Sequence, residues 1–157
     1  DIGAKLDGYC SDTARTFSVG KEIPENQNLI SATREGLNRA ISVIREGATL
    51  LDIATEIEGY AQACGYGNVE DFHGHGIGID VHEPPPVHNA TFYAKQHNVV
   101  LKRGMVIAIE PMYTLGSGIL VKDEKNPWMI VTKDGKVGAH FEDTVLVQKK
   151  GFEILTR

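Results

Sequence analysis

The segment 72–87 constrains the fold of this chain more than any other stretch. It reads F-H-G-H-G-I-G-I-D-V-H-E-P-P-P-V, so three of the six histidines lie among three glycines and before three consecutive prolines. Glycine lets other groups approach the backbone closely and proline fixes φ, so these imidazoles stand on tight, stiff backbone. Because imidazole is the commonest metal ligand among side chains, the pattern indicates a metal site or a catalytic site. A surface loop whose histidines are merely polar is the alternative.

The composition is typical of one globular domain. The 157 residues are 41% hydrophobic and 24% charged, so we treat residues 1–157 as a single domain. The net charge of -5 argues against specific nucleic-acid binding, and no apolar run is long enough to predict a membrane span. Two cysteines form no disulfide framework, which favours a reducing compartment and predicts a cytoplasmic protein.

The chain begins with a predicted β-hairpin. Strands over residues 2–6 and 9–19 are joined by Asp7-Gly8, a dipeptide that favours a two-residue type I′ turn. This turn fixes the register, which sets Gly3 opposite Asp12.

The hairpin register brings two acids together. Asp1 lies two residues before Gly3 on the same face and becomes the diagonal neighbour of Asp12. Diagonal carboxylates about 7 Å apart repel each other unless a cation lies between them, although two solvated acids are the alternative. We expect the Cys10 thiol to point away from Asp12. Because Asp1 falls inside the strand pattern, we also expect the chain to be a fragment of a longer catalytic domain.

Two helices follow the hairpin. Apolar residues at helical spacing predict the first over residues 26–46, and a capping box formed by Thr49 and Asp52 begins the second, which ends at Gly65. Their polar faces carry only dispersed charge, so both helices are interpreted as structural.

Two later strands carry acids in apolar surroundings. A strand over residues 105–113 is apolar on both faces except for Glu110, and Pro111 places that acid at a strand end or a bulge. A strand over residues 138–148 carries His140 and Glu142 on one face and Asp143 on the other, so one of the two acids should point inward. Strands and helices mix without βαβ alternation, which predicts an α+β fold.

These acids and one histidine have the composition of a two-metal site. Four carboxylates balance two divalent cations, and bridging carboxylates are typical of two-metal hydrolytic centres. Oxygen donors with a single nitrogen suit manganese, iron, cobalt or zinc. The candidate ligands are Asp1, Asp12, His75, Glu110 and Glu142.

Four segments together resemble the creatinase/aminopeptidase, or pita-bread, family, and in particular its type I methionine aminopeptidases. They read D-I-G-A-K-L-D-G-Y-C-S-D-T-A-R-T-F, G-H-G-I-G-I-D-V-H-E-P, V-L-K-R-G-M-V-I-A-I-E-P-M and W-M-I-V-T-K-D-G-K-V-G-A-H-F-E-D-T. The resemblance covers nearly the whole chain. It implies a pita-bread fold that lacks its N-terminal half, an antiparallel sheet with two helices packed on it.

The resemblance also implies a role for each site residue. Asp12 and Glu142 would bridge two divalent ions, and Asp1 would bind one of these ions. The other ion would be held by His75 and Glu110, and Glu110 would also carry a proton during catalysis.

The resemblance further implies a substrate site. His82 would hydrogen-bond the scissile amide, and Val81 and Trp128 would line the pocket for the methionine side chain. The chain departs from the family pattern at Val81, Pro84 and Asp143.

The function implied by this resemblance is hydrolysis of the N-terminal methionine from nascent polypeptides, with the ribosome as a candidate place of action. An X-Pro aminopeptidase or dipeptidase of the same fold, and a non-catalytic pita-bread binding module, are the alternatives. A sheet cut at Asp1 would expose an unpaired edge, so we also expect self-association and little peptidase activity of the isolated chain.

Overall fold

The computed structural model describes residues 1–126 and 128–157. In these residues there are three helices, α1 (Pro24–Ser42), α2 (Leu50–Cys64) and α3 (Thr91–Gln96). The first six strands are β1 (Ile2–Leu6), β2 (Tyr9–Thr13), β3 (Gly67–Asn68), β4 (His73–Gly76), β5 (Glu83–His88) and β6 (Val106–Ile109). The other six are β7 (Met112–Thr114), β8 (Leu120–Lys122), β9 (Ile130–Thr132), β10 (Gly138–His140), β11 (Asp143–Val147) and β12 (Phe152–Ile154).

The N-terminal hairpin has the predicted turn and register. Asp7 and Gly8 have φ values of 50° and 87°, the left-handed pair that a type I′ turn requires. β1 and β2 are antiparallel, with Gly3 opposite Asp12, as the turn predicts. β2 is shorter than the predicted strand and ends at Thr13.

The two long helices are confirmed with shifted ends. α1 begins two residues earlier than predicted, with a proline in its first turn, and ends at Ser42. At the start of α2 the Thr49 side chain accepts a hydrogen bond from the Asp52 amide while the Asp52 carboxylate accepts one from the Thr49 amide. Gly65 closes α2 at a φ of 75°, in the left-handed conformation. The short helix α3 was not predicted.

Every paired strand is antiparallel in the described part of the chain, which confirms the predicted α+β fold. One sheet has five strands in the order β12-β11-β6-β4-β5, another has three in the order β10-β7-β3, and β1-β2 and β8-β9 are two-stranded. Both long helices pack on the five-stranded and three-stranded sheets around one apolar core, which includes Leu37, Ile41, Ile53, Ile107 and Val145. None of the helices that the structure describes is both long and apolar enough to cross a lipid bilayer.

Both long strands predicted in the second half are interrupted beside an acid. The first divides at Glu110 and Pro111 into β6 and β7, and the second divides at Phe141 and Glu142 into β10 and β11. Glu110 and Glu142 therefore lie between strands, and both line the candidate site.

Candidate metal centre

Two strands that are far apart in sequence bring Asp12 and Glu142 together. Ala14, just after β2, exchanges backbone hydrogen bonds with Glu142 at 3.3 and 2.9 Å. The Thr144 hydroxyl donates to the Asp12 carbonyl at 2.8 Å and accepts from the Asp12 amide at 3.2 Å. Asp12 and Glu142 are 5% and 2% exposed, so the two carboxylates are held inside the protein.

The five-stranded sheet brings Glu110 and His75 to the same place. β11 pairs with β6 so that Asp143 lies opposite Ile109, and one further step along both strands sets Glu142 beside Glu110. β4, which carries His75, is the other neighbour of β6.

The His75 ring is oriented as a metal ligand would be. Its Nδ1 lies 2.9 Å from the Gly76 carbonyl oxygen, where only a protonated Nδ1 can donate, so in the neutral ring Nε2 carries the lone pair. Nε2 lies 3.6 Å from an Asp12 carboxylate oxygen and 4.0 Å from one of Glu110. A Cβ on Gly74 would lie 2.1 Å from the Ala108 carbonyl, so β4 approaches β6 this closely only with glycine.

Three overlapping groups of donor atoms converge at the candidate metal centre. Within each group the donor atoms lie within 4.8 Å of one another. The groups are His75, Glu110 and Glu142; Asp1, Asp12 and Glu142; and Asp12, His75 and His82. The structure therefore brings together all five candidate ligands and also His82.

Charge crowding makes this cluster suited to cations. Burial and, to a smaller extent, the neighbouring carboxylates of Glu110 and Asp12 together raise the pKa of Glu142 to about 8. One carboxylate oxygen of Asp12 is buried and has no hydrogen-bond partner among the described residues. Buried acids that repel one another and lack partners are stabilised by cations, so the residues present fit divalent ions.

A cavity of about 530 Å³ opens on this cluster, a volume in the range of small-molecule sites. The His82 ring lies on its wall, 4.4 Å from the His75 ring between centroids, and is exposed to solvent. Val81 is close to β1, since a Cβ built on Gly3 would lie 3.5 Å from its Cγ1. The predicted substrate residues His82 and Val81 thus lie at or near the cluster.

The structure does not bring the third predicted substrate residue to this cavity. Trp128 lies between β8 and β9, and 94% of its surface is exposed. Its role in substrate binding stays a prediction. The predicted direction of Cys10 was wrong, because Cys10 and Asp12 are two residues apart on β2 and share a face. The Cys10 thiol donates to the Ile79 carbonyl at 3.4 Å.

The expectation that one of the two adjacent acids points inward was also wrong, because both are buried. Glu142 is 2% exposed and Asp143 is 0% exposed. The alternation of a continuous strand does not apply, since β11 begins only at Asp143. The Asp143 carboxylate is paired with the guanidinium groups of Arg15 and Arg157.

Two residues beside the cluster were missed by sequence reasoning. His140 Nε2 lies 3.5 Å from a Glu110 carboxylate oxygen and is buried. The Asn89 amide donates to the carbonyls of Phe72 at 3.2 Å and Glu110 at 3.0 Å, and so fixes the backbone on which Glu110 stands. The predicted strand places His140 on the same face as Glu142, which could have indicated that His140 lies near the site. No pattern in the neighbouring sequence indicates the role of Asn89.

Comparison with known proteins agrees with this geometry. The family model for metallopeptidase family M24 matches residues 1–149. The chain is 42% identical to a methionine aminopeptidase of Clostridium acetobutylicum and 45% identical to one of Clostridium perfringens. Each alignment covers 99% of this chain and 61% of the relative, so the chain spans about three fifths of the length of these curated relatives.

Two solved structures superpose closely on this chain. The methionine aminopeptidase of Rickettsia prowazekii superposes with a TM-score of 0.93 at 36% identity, over 100% of this chain and 62% of that one. The prolidase of Pyrococcus furiosus superposes with a TM-score of 0.74 at 28% identity, over 99% of this chain and 39% of that one. Metallopeptidases of this family use divalent metal ions, which the acidic cluster fits. The chain belongs to metallopeptidase family M24.

Proposed function

We propose that this chain carries the metal centre of an aminopeptidase that removes the N-terminal methionine from nascent polypeptides in the cytoplasm. The observation that carries the proposal is the convergence of four carboxylates and His75 on one cavity. The relatives with 42% and 45% identity are methionine aminopeptidases, which supports this substrate over an X-Pro peptide.

Two divalent ions, of manganese, iron, cobalt or zinc, match the charge of the cluster. Asp12 and Glu142 would be shared between them, Asp1 would complete one site, and His75 with Glu110 the other. When bound, such ions lower the pKa of a water and polarise a carbonyl oxygen.

The protein's own groups would orient the peptide and move its protons. Glu110 has carboxylate oxygens beside both His75 and His140, so it is placed to accept a proton from water and return it to the leaving amine. The exposed His82 ring, above His75 on the cavity wall, can donate to the substrate carbonyl as negative charge develops there.

The experiment compares hydrolysis of methionyl-alanyl and alanyl-prolyl peptides by the chain reconstituted with Mn²⁺ or Co²⁺. We expect methionine to be released faster than alanine, at the low absolute rate expected of the isolated chain, and metal analysis to give two equivalents. Preferential cleavage of the alanyl-prolyl peptide would favour the X-Pro peptidase, and the absence of bound metal would favour a non-catalytic binding module.

His82→Ala separates the role of a substrate contact from that of a metal ligand. Loss of one transition-state hydrogen bond should lower kcat by roughly 10²–10³ while both metal equivalents remain. A ring nitrogen of His82 also lies within 4.8 Å of donor atoms of Asp12 and His75. Loss of one metal equivalent in this variant would therefore reassign His82 as a metal ligand.

A further inference from the structure

Three of the six histidines form a second cluster beside the acidic one. His73 on β4 and His88 on β5 are directly opposite each other in the strand register. His97 follows α3, and its ring lies beside that of His88. We call His73, His88 and His97 the histidine triad; none of them belongs to the five proposed ligands of the acidic centre.

The rings of the triad are close together. The His73 and His88 centroids are 4.5 Å apart, and those of His88 and His97 are 5.5 Å apart. His73 Nδ1 lies 2.8 Å from the Gly74 carbonyl oxygen, so in the neutral ring Nδ1 carries the proton and Nε2 the lone pair. This is the same orientation that His75 has two residues later on β4.

The central ring of the triad has no partner for either nitrogen. Both Nδ1 and Nε2 of His88 are buried and make no hydrogen bond among the described residues. Burial lowers the pKa of His88, and the neighbouring His73 and His97 lower it further, so the ring is neutral at neutral pH. Buried polar atoms without partners are rare in native proteins and commonly mark an unseen water or ion. Neutral imidazole is the form that binds metal.

We propose that His73, His88 and His97 bind a divalent cation that prefers nitrogen ligands, such as Ni²⁺, Zn²⁺ or Cu²⁺. Three imidazoles with water in the remaining positions are a common ligand set for such ions. The site is not preformed, because among the described residues every group of three metal-ligating side chains with donor atoms within 4.8 Å of one another lies at the acidic centre. His97 is exposed, however, and its side chain can rotate toward the His73–His88 pair.

The cation would join β4, β5 and α3 next to the cavity, whose wall includes His73. Binding there should raise the stability of the folded chain by mass action. This proposal does not depend on peptidase activity.

The test is equilibrium dialysis against Ni²⁺ with metal analysis of the parent, His88→Gln and His97→Gln. We expect the parent to hold one equivalent more than His88→Gln. His97→Gln should lower the affinity for that Ni²⁺ ion at least about tenfold. Losing only the hydrogen-bond partner of a metal ligand already costs about tenfold or more, and losing the ligand itself should cost no less. Lys95→Gln, an exposed change on α3, is the matched control and should bind as the parent does.

A second readout distinguishes the triad from the acidic centre. In a Glu142→Gln background, Cu²⁺ should still give an electron paramagnetic resonance spectrum with couplings from several imidazole nitrogens, and His97→Gln should reduce their number. His97 is exposed, so its replacement should leave folding intact even if that of His88 does not. Parental Ni²⁺ binding in both His88→Gln and His97→Gln would overturn the proposal.

Discussion

Glu142 and Asp143 are adjacent in the chain, and both are buried, but the protein treats their charges in opposite ways. Glu142 faces other acids, and its pKa is raised to about 8. Asp143 is paired with two arginines and accepts a 2.8 Å hydrogen bond from the Thr156 hydroxyl. A buried acid that the chain neutralises itself is a structural element, whereas one left among like charges is a place for a cation.

Arg15 connects these two environments. One of its guanidinium nitrogens is paired with the Asp143 carboxylate, and the other donates to the Glu142 carbonyl. The internally paired acid therefore holds in place the backbone that carries the metal-facing acid. The isosteric changes Asp143→Asn and Glu142→Gln test this contrast as a matched pair.

Asp143→Asn should have the largest effect on folding. The change leaves two guanidinium groups facing a neutral amide, and breaking a buried pair costs about 3–5 kcal/mol. Because the Arg15 and Arg157 side chains are 28% and 43% exposed, water will screen part of the loss, and we expect about 3 kcal/mol. Urea denaturation of the metal-free chain measures this, with the exposed Glu46→Gln as control. Equal free energies of unfolding for Asp143→Asn and Glu46→Gln would contradict a structural role for Asp143.

Glu142→Gln should have the opposite effects: it should not lower the stability of the metal-free chain, but it should weaken metal binding. At pH 7 the unfolded chain has an ionised Glu142, whereas the raised pKa forces the folded metal-free chain to protonate it, which costs stability. The neutral amide avoids this cost, so the change should raise metal-free stability by up to about 3 kcal/mol. Mn²⁺ affinity should fall at least about 100-fold, since a shared ligand is lost. Titration calorimetry together with urea denaturation separates the two effects. Unchanged Mn²⁺ affinity would remove Glu142 from the proposed centre.

The contrast between Glu142 and Asp143 also shows which features of the protein could be predicted from the sequence and which could not. The hairpin register that brings Asp1 near Asp12 was predictable because the Asp7-Gly8 turn is local and fixes the pairing. The capping box of α2 was predictable for the same reason, since Thr49 and Asp52 are three residues apart. The burial of Asp143 was not, because its partner Arg15 is 128 residues away.

Short and interrupted elements account for the remaining differences in the fold. The six residues of α3 are too few for helical periodicity to show. The strand breaks at Glu110 and Glu142 depend on contacts with Asn89 and Ala14 that are distant in sequence. Glu110 could still be placed at a strand end, because Pro111 cannot continue a central ladder.

Arg157→Met should have a smaller effect than Asp143→Asn. The Arg157 side chain is 43% exposed, and Arg15 remains beside Asp143 when it is removed. Methionine keeps the apolar stem, so the loss should be about 1 kcal/mol, that of a largely solvated charge pair. Thermal denaturation in low and high salt would measure it, and the difference from the parent should shrink at high salt. A loss as large as that of Asp143→Asn would mean that Arg157, rather than Arg15, is the main partner.

Thr156→Val should have the smallest effect and tests whether Asp143 needs a neutral donor in addition to its two cations. The Thr156 hydroxyl donates to Asp143 at 2.8 Å and accepts from the Thr144 amide at 3.2 Å. Valine has nearly the same shape, so the expected loss is about 0.5–1.5 kcal/mol, the usual net contribution of a hydrogen bond. Because Thr144 also binds the backbone of Asp12, the acidic centre provides a second measurement, its Mn²⁺ affinity. An unchanged affinity would mean that the paired acid and the metal-facing cluster are independent at this end of β11, whereas a weakened one would show that Thr156 contributes to both.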